Sequence, residues 1–193
     1  LDPNLPGRKV FDRAVIAPDT NDAPSSWLEG TAFTGAFDGN GHTISHLTIR
    51  GGSYLGLFGH LVGDWFQPGS AVKNLGLVDV SIIGTGDSVG GLAGYGDGGT
   101  VTQCYSSGVV SGNSWVGGLV GMESSPTPGL QFFITYCYSN CYSTAAVSAA
   151  TWSAGGLVGY KSCANMIRCY STGPVSAPAG AGGLVGGDPD SCA

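Results

Sequence analysis

The sequence predicts an all-β fold, a right-handed parallel β-helix of about five to six rungs. Three observations carry that prediction. One six-residue phrase returns five times: Tyr54-Leu-Gly-Leu-Phe-Gly59, Val89-Gly-Gly-Leu-Ala-Gly94, Val116-Gly-Gly-Leu-Val-Gly121, Ala154-Gly-Gly-Leu-Val-Gly159 and Ala181-Gly-Gly-Leu-Val-Gly186. Repeats this short cannot bury a core alone and must stack on one another. Between the phrases lie β-prone pieces bounded by Gly, Asn, Asp and Ser turns. No window shows helical i, i+3, i+4, i+7 spacing, and a Gly-Gly pair inside a helix would cost roughly 2 kcal/mol relative to alanine. The hand follows from the right-handed preference of parallel crossovers.

The elements follow in order. Residues 1–32 hold a candidate strand, Val10 to Ile16, and a polar, turn-rich loop, Ala17 to Ser26. Residues 33–193 form the repeat region. It begins with Phe33-Thr-Gly-Ala-Phe-Asp-Gly-Asn-Gly-His-Thr-Ile44, where Asp38-Gly39 and Asn40-Gly41 are strong turn formers. The strand from Thr43 to Ile49 alternates with a one-residue slip: Ile44, then Leu47 and Ile49. Each later unit has three pieces. The first is the glycine phrase. The second is Val72-Lys-Asn-Leu-Gly-Leu77, Val101-Thr-Gln-Cys-Tyr-Ser106, Asn140-Cys-Tyr-Ser143 and Ile167-Arg-Cys-Tyr-Ser171. The third is Val80-Ser-Ile-Ile-Gly84, Val109-Val-Ser-Gly112, Ala146-Val-Ser148 and Pro174-Val-Ser176. Successive Gly-Leu pairs are 35, 27, 38 and 27 residues apart, a 27-residue unit with inserts near 60–71 and 123–136. Inserts sharing one slot should leave from one face of the stack. The glycines are expected at strand corners, where only glycine avoids strain, and where one wall approaches another.

Composition narrows the function. Charged residues are 10% of the chain and hydrophobic ones 42%, too apolar for a disordered linker. Glycine is 35 of 193 residues, but not at every third position, which excludes collagen. A net charge of −6 with seven Lys and Arg argues against nucleic acid or an anionic membrane surface as partner. No apolar run reaches the ~20 residues of a membrane span. Six cysteines fit an oxidising compartment. The opening Leu-Asp-Pro-Asn-Leu-Pro lacks the basic start and apolar stretch of a signal peptide, and a longer parent protein is expected.

The Gly-Leu-Val-Gly phrase, the Cys-Tyr-Ser-Thr-Gly before it and Phe-Asp-Gly-Asn-Gly-His-Thr-Ile resemble the GLUG-motif repeats of large bacterial surface proteins. The resemblance covers about residues 27–187. It implies a parallel β-helical stalk or adhesive module outside the cell, and it brings no catalytic residue and no cofactor.

The candidate sites have bland readings beside sharp ones. Tyr105, Tyr142 and Tyr170 should form an exposed row at repeat spacing: sheet-surface packing, or a stripe for stacking sugars or contacting protein. Trp115 and Trp152, before two of the glycine phrases, form a second candidate pair. Cys104, Cys141 and Cys169 hold one repeat position, as a buried ladder of free thiols or with one bonded pair. Cys137 and Cys163 are the candidate disulfide outside that ladder. His42, His46 and His60 lack further metal ligands nearby beyond Asp38, and they read as polar turn and strand residues. Asp12, Asp19, Asp22, Asp38, Asp79, Asp87 and Asp97 sit in turn-like contexts, where Asp bonds backbone; a calcium near 19–22 is the sharper reading. Three functions result: an extracellular structural or adhesive module, a carbohydrate-binding or carbohydrate-cleaving β-helix, and a self-assembling subunit joined through open solenoid ends. The expected partners are surface glycans, proteins or a second copy.

Overall fold

The computed structural model describes residues 9–21, 28–63, 69–124, 136–162 and 164–188. It is a parallel β-helix. Five rungs, at 36–62, 71–97, 99–123, 136–161 and 165–187, stack through parallel pairing. Each rung has four faces rather than three. The first face stacks Ala36–Asp38, Ala71–Lys73, Gly99–Thr102, Tyr136–Ser139 and Asn165–Ile167. The second is the longest, built on Gly76–Gly84 and Tyr105–Gly112 with shorter strands in the other rungs. The third stacks Val89–Gly90, Val116–Gly117, Ala154–Gly155 and Ala181–Gly182. The fourth stacks Phe58–Val62, Ala93–Asp97, Val120–Glu123, Val158–Lys161 and Val185–Gly187.

The fourth face arises because the glycine phrase is itself a corner. In Val116-Gly-Gly-Leu-Val-Gly121 the first two residues pair on the third face and the last two on the fourth, while Leu119 points into the core between them. Leu57, Leu92, Leu119 and Leu157 form a buried ladder at that corner. Beside it run Val89, Val116 and Ala154, then Phe58, Ala93, Val120 and Val158, all buried. The first copy is one residue shorter, so Leu55, not Tyr54, pairs with Val89.

Of the two roles expected of glycine, corner and close approach, the phrase glycines fill the second. Gly98, Gly99 and Gly180 take left-handed φ at corners, but most such corners are held by residues with a side chain: Asn74, Gln103, Asn140 and Arg168 between the first and second faces, and Tyr54, Ser88 and Trp115 before the third. The φ angles of these side-chain-bearing residues lie between 52° and 61°. That conformation costs roughly 1–2 kcal/mol for a residue with a Cβ, and the pairing on either side holds it. The phrase glycines are needed for contact instead. A Cβ on Gly117, Gly155 or Gly182 would fall on the carbonyl oxygen three residues ahead. One on Gly91, Gly118 or Gly156 would fall on the carbonyl of the matching glycine one rung on.

The segment from Val10 to Ile16 makes single bridges rather than the expected strand. Phe11 bridges Ile49, Ile16 bridges Phe58, and Phe33 bridges Leu61, so these residues partly cover the first rung. The chain lies close here because Gly51 and Gly59 leave room for Asp12 O and Ala17 O. The expected strand from Thr43 to Ile49 is split at His46, whose φ of 57° turns the chain and accounts for the slip in alternation. The two longest inserts both lie between a fourth-face strand and the next first-face strand, after Val62 and after Glu123.

Candidate functional site

The Cys-Tyr-Ser phrase becomes three parallel ladders. After the left-handed corner residue, strand alternation turns Cys inward, Tyr outward and Ser inward. Tyr105, Tyr142 and Tyr170 pair in register on the second face. Their rings stack, with centroids 4.8 and 5.0 Å apart and planes within 1° and 2° of parallel. The row starts at the third rung because the second has Gly76 there, and the Tyr105 ring lies over it. Stacking changes what the stripe offers. Tyr142 is flanked by a ring on each face, and its phenol is pushed above its ordinary pKa by desolvation and by the neighbouring phenols. The row therefore presents ring edges and hydroxyls. At the two ends of the row, the other side of Tyr105 lies over Gly76, while Tyr170, 53% exposed, has no ring on its outer side among the described residues. Tyr142→Ala removes both stacks and is expected to lower stability by about 1–2 kcal/mol, read as a shift in the urea midpoint, with Tyr142→Phe costing far less.

Trp115 and Trp152 do not share a register. Val116 pairs with Ala154, so Trp115 lies level with Ser153, and Trp152 stands one residue earlier. Trp115 packs its ring 6.2 Å from Tyr160, while Trp152 is 62% exposed. A second outward row, missed in the sequence, runs along the fourth face through His60, Tyr95, Met122 and Tyr160. Counting by two from the buried Phe58, Ala93, Val120 and Val158 would turn these residues inward; the pairing skips Gly59, Gly94, Gly121 and Gly159, and that break turns the row outward. His60 lies 5.1 Å from the Tyr95 ring, its Nε2 is buried without a partner among the described residues, and burial depresses its pKa. His42 is exposed in the turn ahead of the split strand, separate from His46 at the bend.

The carboxylates serve mostly in turns. Asp38 Oδ1 accepts from Asn74 Nδ2 (3.0 Å) and from the Asn40 amide (2.9 Å), and its Oδ2 meets Lys73 Nζ at 3.2 Å. The bonds from Asn74, Asn40 and Lys73 hold its pKa down at about 2. Asp19 Oδ1 accepts from the Asn21 and Glu29 amides, closing the early loop, and Asp22 lies outside the described residues. Asp87 takes part in a corner ladder, accepting from Asn113 Nδ2 at 2.8 Å. The Asp79 amide donates to Ser107 Oγ at the second-face bulge, and Asp12 pairs with Arg13. Burial raises Asp97.

Two buried polar features escaped the sequence reading. Ser106 Oγ donates to Gly118 O at 2.6 Å and lies 3.1 Å from Ser143 Oγ, while Ser171 Oγ is buried without a partner. These serines lie under the phrase glycines: Cβ atoms on Gly118 and Gly156 would strike Ser143 and Ser171. Glu123 occupies the inward row of Leu61 and Gly96 and is fully buried. Its Oε2 accepts from the Ser162 amide at 2.9 Å, its Oε1 has no partner among the described residues, and burial pushes its pKa up to about 8. Counting by two from the buried Val120 would turn this acid outward, and the break in alternation at Gly121 brings it into the core.

Cys104, Cys141 and Cys169 lie in successive rungs as thiols without a disulfide among the described residues. Cys104 and Cys141 are fully buried, and each lies 3.4 Å from the carbonyl two residues before it. Cys137 pairs through its backbone with Asn165, but its side chain and Cys163 lie outside the described residues, and so does the Cys137–Cys163 disulfide.

No family model matches the chain. It is 38% identical over 112 residues to halomucin of Haloquadratum walsbyi (strain DSM 16790 / HBSQ001), a match over 50% of this chain and 1% of halomucin. Among solved structures it is similar to that of a candidate immunoglobulin A1 protease from Bacteroides ovatus, with a TM-score of 0.67 and 30% identity over 81% of this chain and 47% of that one. The chain thus spans about half of the solved relative and a hundredth of halomucin. Both likenesses fit a secreted or surface type of protein built on a parallel β-helix.

Proposed function

We propose that this chain is a GLUG-type structural and adhesive segment of a secreted or cell-surface protein. One observation carries the reading: five rungs pair in register along one axis. Such a body is a rod, about 25 Å long at ~4.8 Å per rung, that displays whatever projects from its faces. The likeness to halomucin supports the location. Contact with surface glycans or proteins falls to the second-face tyrosines, and stacking assigns the free ring face to Tyr170. An array of surface polysaccharides and glycoproteins is the test. Binding should fall at least about tenfold in Tyr170→Ala and stay near wild type in Tyr105→Phe. Silence on every spot would leave the spacer and remove the adhesive role.

The description of the solved relative favours a second reading, an accessory or catalytic part of a protease. Incubation with immunoglobulin A1 and electrophoresis of the product is the direct check, and intact heavy chain is the result our proposal expects. End-to-end association is a third reading. The fifth-rung strands end every sheet among the described residues, whereas Phe11, Ile16 and Phe33 bridge to the first rung and partly cover it. Sedimentation velocity across a hundredfold concentration range reads it.

A further inference from the structure

We propose that Cys141 and Cys169 form a reversible disulfide that clamps the fifth rung to the fourth, with Cys169 as the attacking thiol. Tyr142 pairs with Tyr170, and the Tyr170 amide donates to Cys141 O at 3.2 Å, so the two cysteines are direct neighbours on adjacent rungs. In-register neighbours sit ~4.8 Å apart, within the ~4.4–6.8 Å between Cα atoms that a disulfide accepts.

Access distinguishes this pair from the other adjacent pair. Cys104 and Cys141 are also neighbours, since the Tyr142 amide donates to Cys104 O, but both are fully buried. No external oxidant reaches either sulfur. Cys169 is only partly buried. The side-chain interaction with Cys141 draws the Cys169 thiol below its ordinary pKa and raises that of Cys141. A reachable thiolate backed by a resolving thiol is the arrangement of a redox-responsive pair.

The oxidant is a low-molecular-weight disulfide, RSSR. The Cys169 thiolate attacks one sulfur, the S–S bond of RSSR breaks, and RS⁻ leaves with its electron pair and takes up a proton. The Cys141 thiol then loses its proton and attacks Sγ of the mixed disulfide at Cys169, expelling the second RS⁻, which is also protonated. Two protein thiols are oxidised and one RSSR is reduced to two RSH. A bridge between facing residues of parallel strands is strained, which makes it readily reducible.

The test is peptide mapping of the intact chain after exposure to oxidised glutathione and blocking with N-ethylmaleimide. Trypsin and chymotrypsin together release Ser139–Tyr142 and Cys169-Tyr170, and the bridge should appear as those two peptides joined. Before oxidation, iodoacetamide should label Cys169 at least about tenfold faster than Cys104 or Cys141. Cys169→Ser should leave Cys141 unbridged, and Cys104→Ser should leave the bridge intact. Glutathione held on Cys169 without closure, or Cys169 joined to Cys137, Cys163 or Cys192, would overturn the proposal. The wild-type map reads either outcome even if a variant fails to fold.

Discussion

Gly118→Ala is expected to lower the thermal midpoint by roughly 10 °C, while the same substitution at Gly183 leaves it within a few degrees of wild type. Both are the second glycine of the repeated phrase, and the sequence does not distinguish them. At Gly118 the new Cβ falls on Gly156 O of the next rung and on Ser143 Oγ. A backbone carbonyl fixed by pairing on both sides cannot retreat, so the two rungs must separate. Overpacking of that kind costs about 3 kcal/mol, at the upper end of the usual range. At Gly183 a Cβ meets nothing within 4 Å, and its φ is not left-handed. There alanine reduces the freedom of the unfolded chain and is neutral or stabilising by about 0.4–1 kcal/mol. Thermal melts followed by circular dichroism make the comparison. Equal losses at both positions would mean that the glycine is required for local conformation and not for rung-to-rung contact.

That contrast shows what the sequence could and could not reveal. The five phrases fixed the register, because equivalent residues of stacked repeats must pair. The inward Leu ladder, the outward tyrosines and the shared slot of the inserts all follow from it. The corners were not legible. Left-handed φ suggests glycine, yet Gln103, Trp115 and Arg168 adopt it. Pairing on both sides imposes the bend there and overrides residue preference. Ring orientation was hidden too. Spacing predicted a tyrosine stripe, but only coordinates show the planes stacked, which withdraws most of the aromatic face from a ligand. Trp152 failed for a simpler reason. It lies two residues before its phrase and Trp115 lies one before, and a one-residue offset on a strand reverses the side.

Glu123 supports the second large prediction. The chain should lose stability as pH rises from 5 to 8, and Glu123→Gln should abolish most of that loss. Burial is the main cause of the raised pKa, and it outweighs the Ser162 amide bond and the charge of Lys161, both of which favour the ionised acid. Asp188 and Asp97 add to the rise, and Lys161 is partly neutralised by Asp188 at 2.8 Å. The sign follows from proton counting. Between the unfolded value of 4.5 and the folded value of about 8, the native state holds a proton that the unfolded state has released. Stability therefore falls as pH climbs through this window, by about 4 kcal/mol in total. His60 acts oppositely: its depressed pKa makes the unfolded state bind more protons, so stability rises with pH near the ordinary histidine value of 6.5. Asp97, with a raised pKa, acts in the same direction as Glu123. The wild-type profile mixes all three, so the informative quantity is the difference between wild type and Glu123→Gln in urea unfolding at pH 5, 6, 7 and 8. Glutamine keeps an oxygen for the Ser162 amide and cannot ionise, so the difference should be small at pH 5 and grow toward pH 8. A flat difference would mean that water or another group reaches Oε1 and that the buried acid is already ionised at neutral pH.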